Sequence, residues 1–322
     1  MTLRILVLGA GATGGYFGGR LAQAAQQGKA DVDVRFLVRP ARAERLRRDG
    51  LRVRTPDGGF ALPVHALLHT ELEPVHDLVL LSCKAYDLES SILAVYPGLH
   101  RDTLVLPLLN GLAHFERLDR EFGAARVVGG CCHIAGRLAP DGAVEQLTAL
   151  ERITFGARPA NAAHAGAVLA ALEAAFRATP VGVKHSADVL QDIWDKFVML
   201  ATLAGMTCLM RAAVGDIAAT DDGRALTLRM LDECLAAARH AGHPMAPEVR
   251  DATAAMLTSK GSAFSASMLR DLEGGGPTEG AHIVGDMLAR ARAAGSDAAM
   301  LASAWTHLQA RDARVARERG SA

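Results

Sequence analysis

Six residues near the start of the chain, Gly9-Ala10-Gly11-Ala12-Thr13-Gly14, restrict its fold more than any other feature. They follow a short apolar run, residues 4–8, that reads as a strand, and they open a stretch with helical spacing, residues 14–25. A GxGxxG pattern carries meaning only in this setting of strand, turn and helix. Gly9 then permits the tight turn, Gly11 lets the backbone approach a pyrophosphate, and Gly14 lets the helix pack closely on the strand. The start of the helix adds free N–H groups and a partial positive charge, which suit phosphate oxygens. The competing reading is a glycine-rich turn with no ligand.

The rest of the first half agrees with that setting. Short β-branched or Leu-rich runs at 4–8, 32–38, 78–82, 103–106, 126–131, 143–147, 152–155 and 180–183 alternate with helix-like stretches such as 14–25 and 41–49, the pattern of a parallel sheet covered by helices. Residues 51–64, broken by Pro56-Asp57-Gly58-Gly59, read as a hairpin. From Ser186 onward the strand signal stops, and long helical segments follow, broken at Gly215, at 242–244, at 274–277 and near Gly295. The charge-rich stretch 311–319 reads as a solvated helix end. A length of 322 residues suits two domains at about 150 residues each. The expected fold is α/β: an amino-terminal Rossmann-type dinucleotide-binding domain, residues 1–186, followed by an all-helical carboxyl-terminal domain, residues 187–322, for substrate and dimerisation.

Charge and cysteine content remove several classes of function. Thirty-five Lys and Arg balance thirty-five Asp and Glu, so no strong positive field draws the protein to nucleic acid or an anionic membrane. Five cysteines, odd in number and without a CxxC pair, indicate neither a disulfide framework nor a zinc ribbon, and no metal is expected. A reduced cytoplasm is the expected location, since no export signal is read at the amino terminus. The longest uncharged apolar run, 197–210, is shorter than the roughly 20 residues of a membrane span and is expected to be a buried helix.

The choice of dinucleotide lies at the end of the second strand, where an acid would hold the ribose hydroxyls of NAD and an arginine the extra phosphate of NADP. Asp31 and Asp33 stand at the wrong end of that strand, whereas Arg39 and Arg42 follow its carboxyl end. A guanidinium fork matches a phosphate in shape and charge, which favours NADP and assigns the contact to Arg39. Arg42, Arg45, Arg47 and Arg48 can equally form an ordinary basic helix face in water.

Polar residues also stand where apolar ones are expected. Lys84 and Asn110-Gly111 follow neighbouring apolar strands; either alone is a strand-ending or turn residue, and together they suggest a shared cleft. Lys196 heads the apolar helix, and a lysine there is paired, reaches out to water along its stem, or is partly desolvated and able to donate a proton. Asp192, four residues earlier, is its candidate partner. Ser267 and Glu279 flank a glycine-rich break, and each also has a structural reading, as a helix-surface hydroxyl and a first-turn acid.

Taken in order, GAGATGG at 9–15, Arg39, Ser82-Cys83-Lys84-Ala85-Tyr86, Asn110-Gly111, Trp194-Asp195-Lys196, Ser267-Met268-Leu269-Arg270-Asp271 and Thr278-Glu279 resemble the ketopantoate reductases (2-dehydropantoate 2-reductases) over nearly the whole length. The resemblance implies NADPH-dependent reduction of 2-dehydropantoate to pantoate, a step of pantothenate and coenzyme A synthesis. It implies that Lys196 donates a proton to the ketone oxygen and that Glu279 contacts cofactor and substrate hydroxyls. Ser267 would bind the substrate carboxylate, and Asn110 would touch nicotinamide and substrate. The cofactor would lie on Gly9, Ala10, Gly11, Ala12, Thr13 and Gly14, with Lys84 and Arg39 on its phosphates and Ala135 lining its site. The family carries Asn four and eight residues after this lysine and another farther on, where this chain has Leu200, Ala204 and Val214. Thr207 returns near the lysine's helix face as a candidate replacement. The partner expected is a small 2-oxo acid, with a homodimer one assembly state open to the chain. The alternatives are a reductase of another 2-oxo acid or ketone on the same scaffold, and a non-catalytic NADP-binding sensor.

Overall fold

The computed structural model describes residues 2–320, which form two compact units. The first comprises the described residues up to Leu109 together with His114–Asp192; the second comprises Asn110–Ala113 and the described residues from Ile193 onward. The division falls inside a helix rather than at residue 186, and the short segment after Leu109 joins the second unit.

In the first unit the order is β1 (Leu3–Leu8), α1 (Ala12–Gln26), β2 (Val32–Leu37), α2 (Pro40–Asp49), β3 (Leu51–Thr55), β4 (Gly58–Leu62), β5 (His65–Leu67), β6 (His76–Leu81), α3 (Leu88–Val95) and β7 (Leu99–Pro107). There follow α4 (Ala113–Phe122), β8 (Gly129–Leu138), β9 (Val144–Gly156), α5 (Gly166–Arg177) and β10 (Gly182–His185). One sheet is wholly parallel, in the order β5-β2-β1-β6-β7. Its inner strands are near-continuous apolar runs because helices cover the sheet; Ile5, Val7, Leu78 and Leu80 are fully buried. The chain leaves β1 toward β2 and returns on the other side as β6, so the strand order reverses between β1 and β6. Ligands of open α/β sheets bind at the carboxyl ends of strands beside such a reversal.

The expectation of a single parallel sheet was incomplete. A second, mixed sheet runs β10-β9-β3-β4, with β8 antiparallel to β9. The hairpin read at 51–64 is there, as β3 and β4. The two strands expected at 143–147 and 152–155 are the paired ends of one strand, β9. The register on β8 steps from Ile134 opposite Glu151 to Gly136 opposite Gln146, so residues 147–150 project into solvent and interrupt the apolar pattern. The run at 126–131 enters β8 only from Gly129; before that it is bridged to β7 through Val105 and Val127. Strand β5 is too short to register as a pattern.

Tyr16 joins α1 to the second sheet. Wholly buried, its hydroxyl donates to Glu151, lies 3.0 Å from Gln146 Oε1 and accepts from Arg20 Nη2 at 3.1 Å. Burial, and then the Glu151 hydrogen bond, push the phenol up from its ordinary value, so it stays a neutral donor.

The second unit is built on α6 (Val189–Met210), α7 (Val214–Ala218), α8 (Gly223–His240), α9 (Pro247–Leu257), α10 (Ser267–Glu273), α11 (Asp286–Ala293) and α12 (Ala299–Gly320). Helix α6 is long and apolar enough to cross a membrane by length and composition, yet 67% of its most apolar window is buried within the protein, as a core helix should be. The break expected at Gly215 comes earlier, at Arg211, whose φ of 53° ends the helix. Gly215 instead lies inside α7, where a side chain would strike the backbone of Gly261 and Ser262. The tail is also not uniformly solvated. Arg311 is buried, and its Nη2 donates to the carbonyls of Gly276 at 2.8 Å and Leu272 at 3.4 Å, tying the 274–277 turn to α12. The five cysteines form no disulfide, and burial pushes Cys208 and Cys234 up to about 12.

Candidate active site

In the first unit the glycine loop caps the end of β1. Gly9 N–H donates to Leu37 O at 2.9 Å, and its φ of +86° is one that only glycine takes without strain. The Ser82 hydroxyl, just past β6, donates to Leu8 O at 2.7 Å, so the loop and the segment leading to Lys84 lie side by side at the strand reversal. Gly14 is packed so tightly on Ser82 and the Gly9 carbonyl that a side chain there must displace one of them. Around the Cβ position of Gly11, by contrast, nothing lies within 4 Å. No protein contact demands a glycine there, and the open side leaves room for a phosphate to approach. Helix α1 starts at this point with no side-chain cap and no acid in its first turn, which leaves its N–H groups available. The residues fit a dinucleotide.

The two glycines separate packing from binding. Gly14→Ala is expected to cost about 1–3 kcal/mol of stability through overpacking, read by denaturant unfolding. Gly11→Val is expected to change stability by less than about 0.5 kcal/mol while weakening dinucleotide binding at least about 10-fold. Full binding by Gly11→Val would refute the cradle.

Around the loop, Arg39 caps the start of α2 with its side chain 80% exposed, touching Asp87 at 3.3 Å. Lys84 caps a short 3₁₀ turn after β6 and is half-buried. Ala135 sits at the β8 irregularity, next to Gly136, whose Cβ position is 3.6 Å from Ala12 Cβ at the head of α1.

In the second unit, Lys196 Nζ donates to Asn110 Oδ1 at 3.0 Å, joining two half-buried residues 86 positions apart. Asp192 is not the partner of Lys196, because its carboxylate already takes Lys184 Nζ at 2.6 Å and the Ser186 hydroxyl at 2.5 Å. Gly111 has a φ of +81°, and its Cβ position is 2.9 Å from the His282 carbonyl oxygen and 3.5 Å from the Phe197 ring, so only glycine allows this turn to lie against α6. His282 belongs to a π-helical turn, Ala281–Gly285, that begins two residues after buried Glu279. Single π turns of this kind recur at functional sites. Burial pulls the His282 imidazole down from its ordinary value, opposed by Glu279 and Asp286 and assisted by Arg290. Asn110, Lys196 and, by way of His282, Glu279 therefore form one neighbourhood. Ser267 opens α10, half-buried, and no hydrogen bond among the described residues links it to Lys196.

Thr207 does not supply the expected replacement hydroxyl. It is wholly buried and donates to Leu203 O at 2.7 Å, inside its own helix. Sequence reasoning missed His282, whose signal was only its place three residues after Glu279.

Comparison with known proteins places the chain in a family. Residues 5–160 match the family described as "Ketopantoate reductase PanE/ApbA" and residues 188–312 its "C terminal" counterpart. The chain belongs to the ketopantoate reductase family. It is an oxidoreductase of that type, with the family's α/β amino-terminal and helical carboxyl-terminal architecture. It is 33% identical over 307 residues, 95% of this chain and 98% of the other, to the "Uncharacterized oxidoreductase YkpB" of Bacillus subtilis (strain 168). It is 27% identical to the 2-dehydropantoate 2-reductase of Nostoc sp. (strain PCC 7120), over 90% of this chain and 89% of the relative. The crystal structure of 2-dehydropantoate 2-reductase from Geobacter metallireducens GS-15 superposes with a TM-score of 0.82 at 30% identity, covering 95% of this chain and 99% of the other.

Proposed function

We propose that this ketopantoate reductase family member reduces a 2-oxo acid with NADPH, with 2-dehydropantoate the leading substrate. The observation that carries the reading is the Lys196–Asn110 hydrogen bond of 3.0 Å, which holds an ammonium in fixed orientation on a half-buried stretch of α6. When bound, NADPH supplies a hydride to the ketone carbon. The ketone oxygen then gains negative charge, and Lys196 stabilises that charge and donates a proton to it, leaving an alcohol and a neutral amine that water reprotonates. Asn110 sets the direction of the ammonium, and buried Glu279 offers an acceptor for hydroxyls. Arg39 is the group for the 2′-phosphate: its contact with Asp87 is an exposed one, worth little, so the guanidinium is available.

A second reading concerns the substrate. Ala204 and Val214 are core residues, and Leu200 presents an apolar side chain one turn beyond Lys196. A site poor in amides discriminates weakly in favour of hydroxylated substrates and accepts bulkier or more apolar 2-oxo acids. The sensor alternative is disfavoured by the oriented lysine, which pure binding does not require.

The deciding experiment is NADPH oxidation across a panel of 2-oxo acids that includes 2-dehydropantoate and apolar analogues lacking its hydroxyl. Highest kcat/KM with 2-dehydropantoate is the expected result. A preference for apolar analogues supports the second reading, and no oxidation by any 2-oxo acid refutes both.

A further inference from the structure

Of the two readings open to Arg42, a basic helix face in water is not the one the structure takes. Half-buried in the first unit, its Nη2 donates to Ala10 O in the glycine loop at 2.7 Å, and its Nη1 donates to Gly142 O in the turn between β8 and β9, also at 2.7 Å. Its own N–H donates to Arg39 O at 2.9 Å, in the first turn of α2. One side chain therefore ties together the helix that begins at Arg39, the glycine loop, and the hairpin whose β8 arm carries Ala135.

Both ends of this clamp are shaped for it. Gly142 has a φ of +80°, and its Cβ position is 2.6 Å from Arg45 Cδ and 3.0 Å from Arg42 Nη1. A side chain there would strike Arg45 and crowd Arg42 Nη1. At the other end, the Ala10–Gly11 peptide is trans, so its C=O and N–H point in opposite directions. Holding the Ala10 carbonyl on the guanidinium turns the Gly11 N–H away from it, at the loop position where the Cβ site is open. Among the described residues Arg42 has no carboxylate partner, and its buried Nε has no hydrogen-bond partner. A half-buried cation held only by carbonyls is poorly compensated until an anion comes near.

We propose that Arg42 is a positioning residue for the dinucleotide: it orients the Gly11 N–H toward the pyrophosphate and adds positive charge behind the loop, with Gly142 its obligatory seat. The proposal rests on the dinucleotide reading above but is separable from the 2′-phosphate role of Arg39, because a pyrophosphate is common to NADPH and NADH.

The test is direct binding of NADPH and of NADH, followed by cofactor fluorescence, with thermal unfolding of the same samples. Arg42→Ala and Gly142→Ala are each expected to weaken both dinucleotides by about 10-fold or more, leaving their ratio unchanged. The double variant is expected to be little worse than either single one, since both remove the same clamp. Arg42→Lys, which keeps charge but spans one carbonyl at most, should fall between. Lower unfolding temperature with unchanged affinity would make Arg42 a structural residue only and overturn the proposal. A loss confined to NADPH would overturn it too, by making Arg42 a 2′-phosphate contact. Equal loss in the Arg42 variants beside a non-selective Arg39→Ala would leave the clamp standing and remove the NADP assignment. Binding of neither dinucleotide by the wild-type chain would remove both.

Discussion

Replacing Lys196 with methionine is expected to lower kcat by about 10²–10⁴-fold while the Kd for NADPH moves by less than about 2-fold. Methionine keeps the apolar stem that packs along α6 and deletes only the ammonium, so the fold is preserved. The loss falls on the transition state because the ketone oxygen carries its full charge only while the hydride arrives, and that is when a nearby proton donor counts most. Asn110→Ala removes the acceptor that holds Nζ at 3.0 Å and is expected to lower kcat by a smaller factor, about 10-fold, through loss of orientation. Single-turnover cofactor oxidation with the best substrate of the panel reads both effects. Undiminished turnover in Lys196→Met would remove the proton-donor assignment.

For Arg39→Ala the expected result is a weakening of NADPH binding by about 10-fold or more, with NADH affinity altered by less than about 2-fold. With the side chain 80% exposed, the interaction is screened by solvent, so the lower end of the range for a charge-assisted phosphate contact applies. The difference between the two cofactors should shrink as ionic strength rises, since the screening length falls from about 10 Å at 0.1 M salt to about 3 Å at 1 M. Equal losses for NADPH and NADH would refute the assignment.

Much of the scaffold could be read locally. The glycine loop, the alternation of strand and helix up to about residue 185 and the helical second half all depend on neighbours within a few turns, and windows of that size show them. The gap between the runs 143–147 and 152–155 was visible too, but its meaning was not: residues 147–150 project into solvent from a single strand whose ends pair with β8. Lys196 stood out because an ammonium in an apolar helix must be compensated. Its partner could not be read the same way, since helical spacing pointed to Asp192, and that carboxylate is taken by Lys184 and Ser186.

Local residue chemistry alone determined the glycine loop, the class of each half and the conspicuous lysine, because these follow from steric freedom at glycine, from apolar periodicity and from the cost of burying charge. Only the tertiary structure decided that Asn110 holds that lysine, that His282 lies against Gly111, and that Arg42 grips the glycine loop rather than water. The Lys196–Asn110 and Arg42–Gly142 pairs join residues 86 and 100 positions apart. Which long side chain meets which distant carbonyl or amide depends on strand order and on the path of each turn, and these are set by the packing of the whole chain.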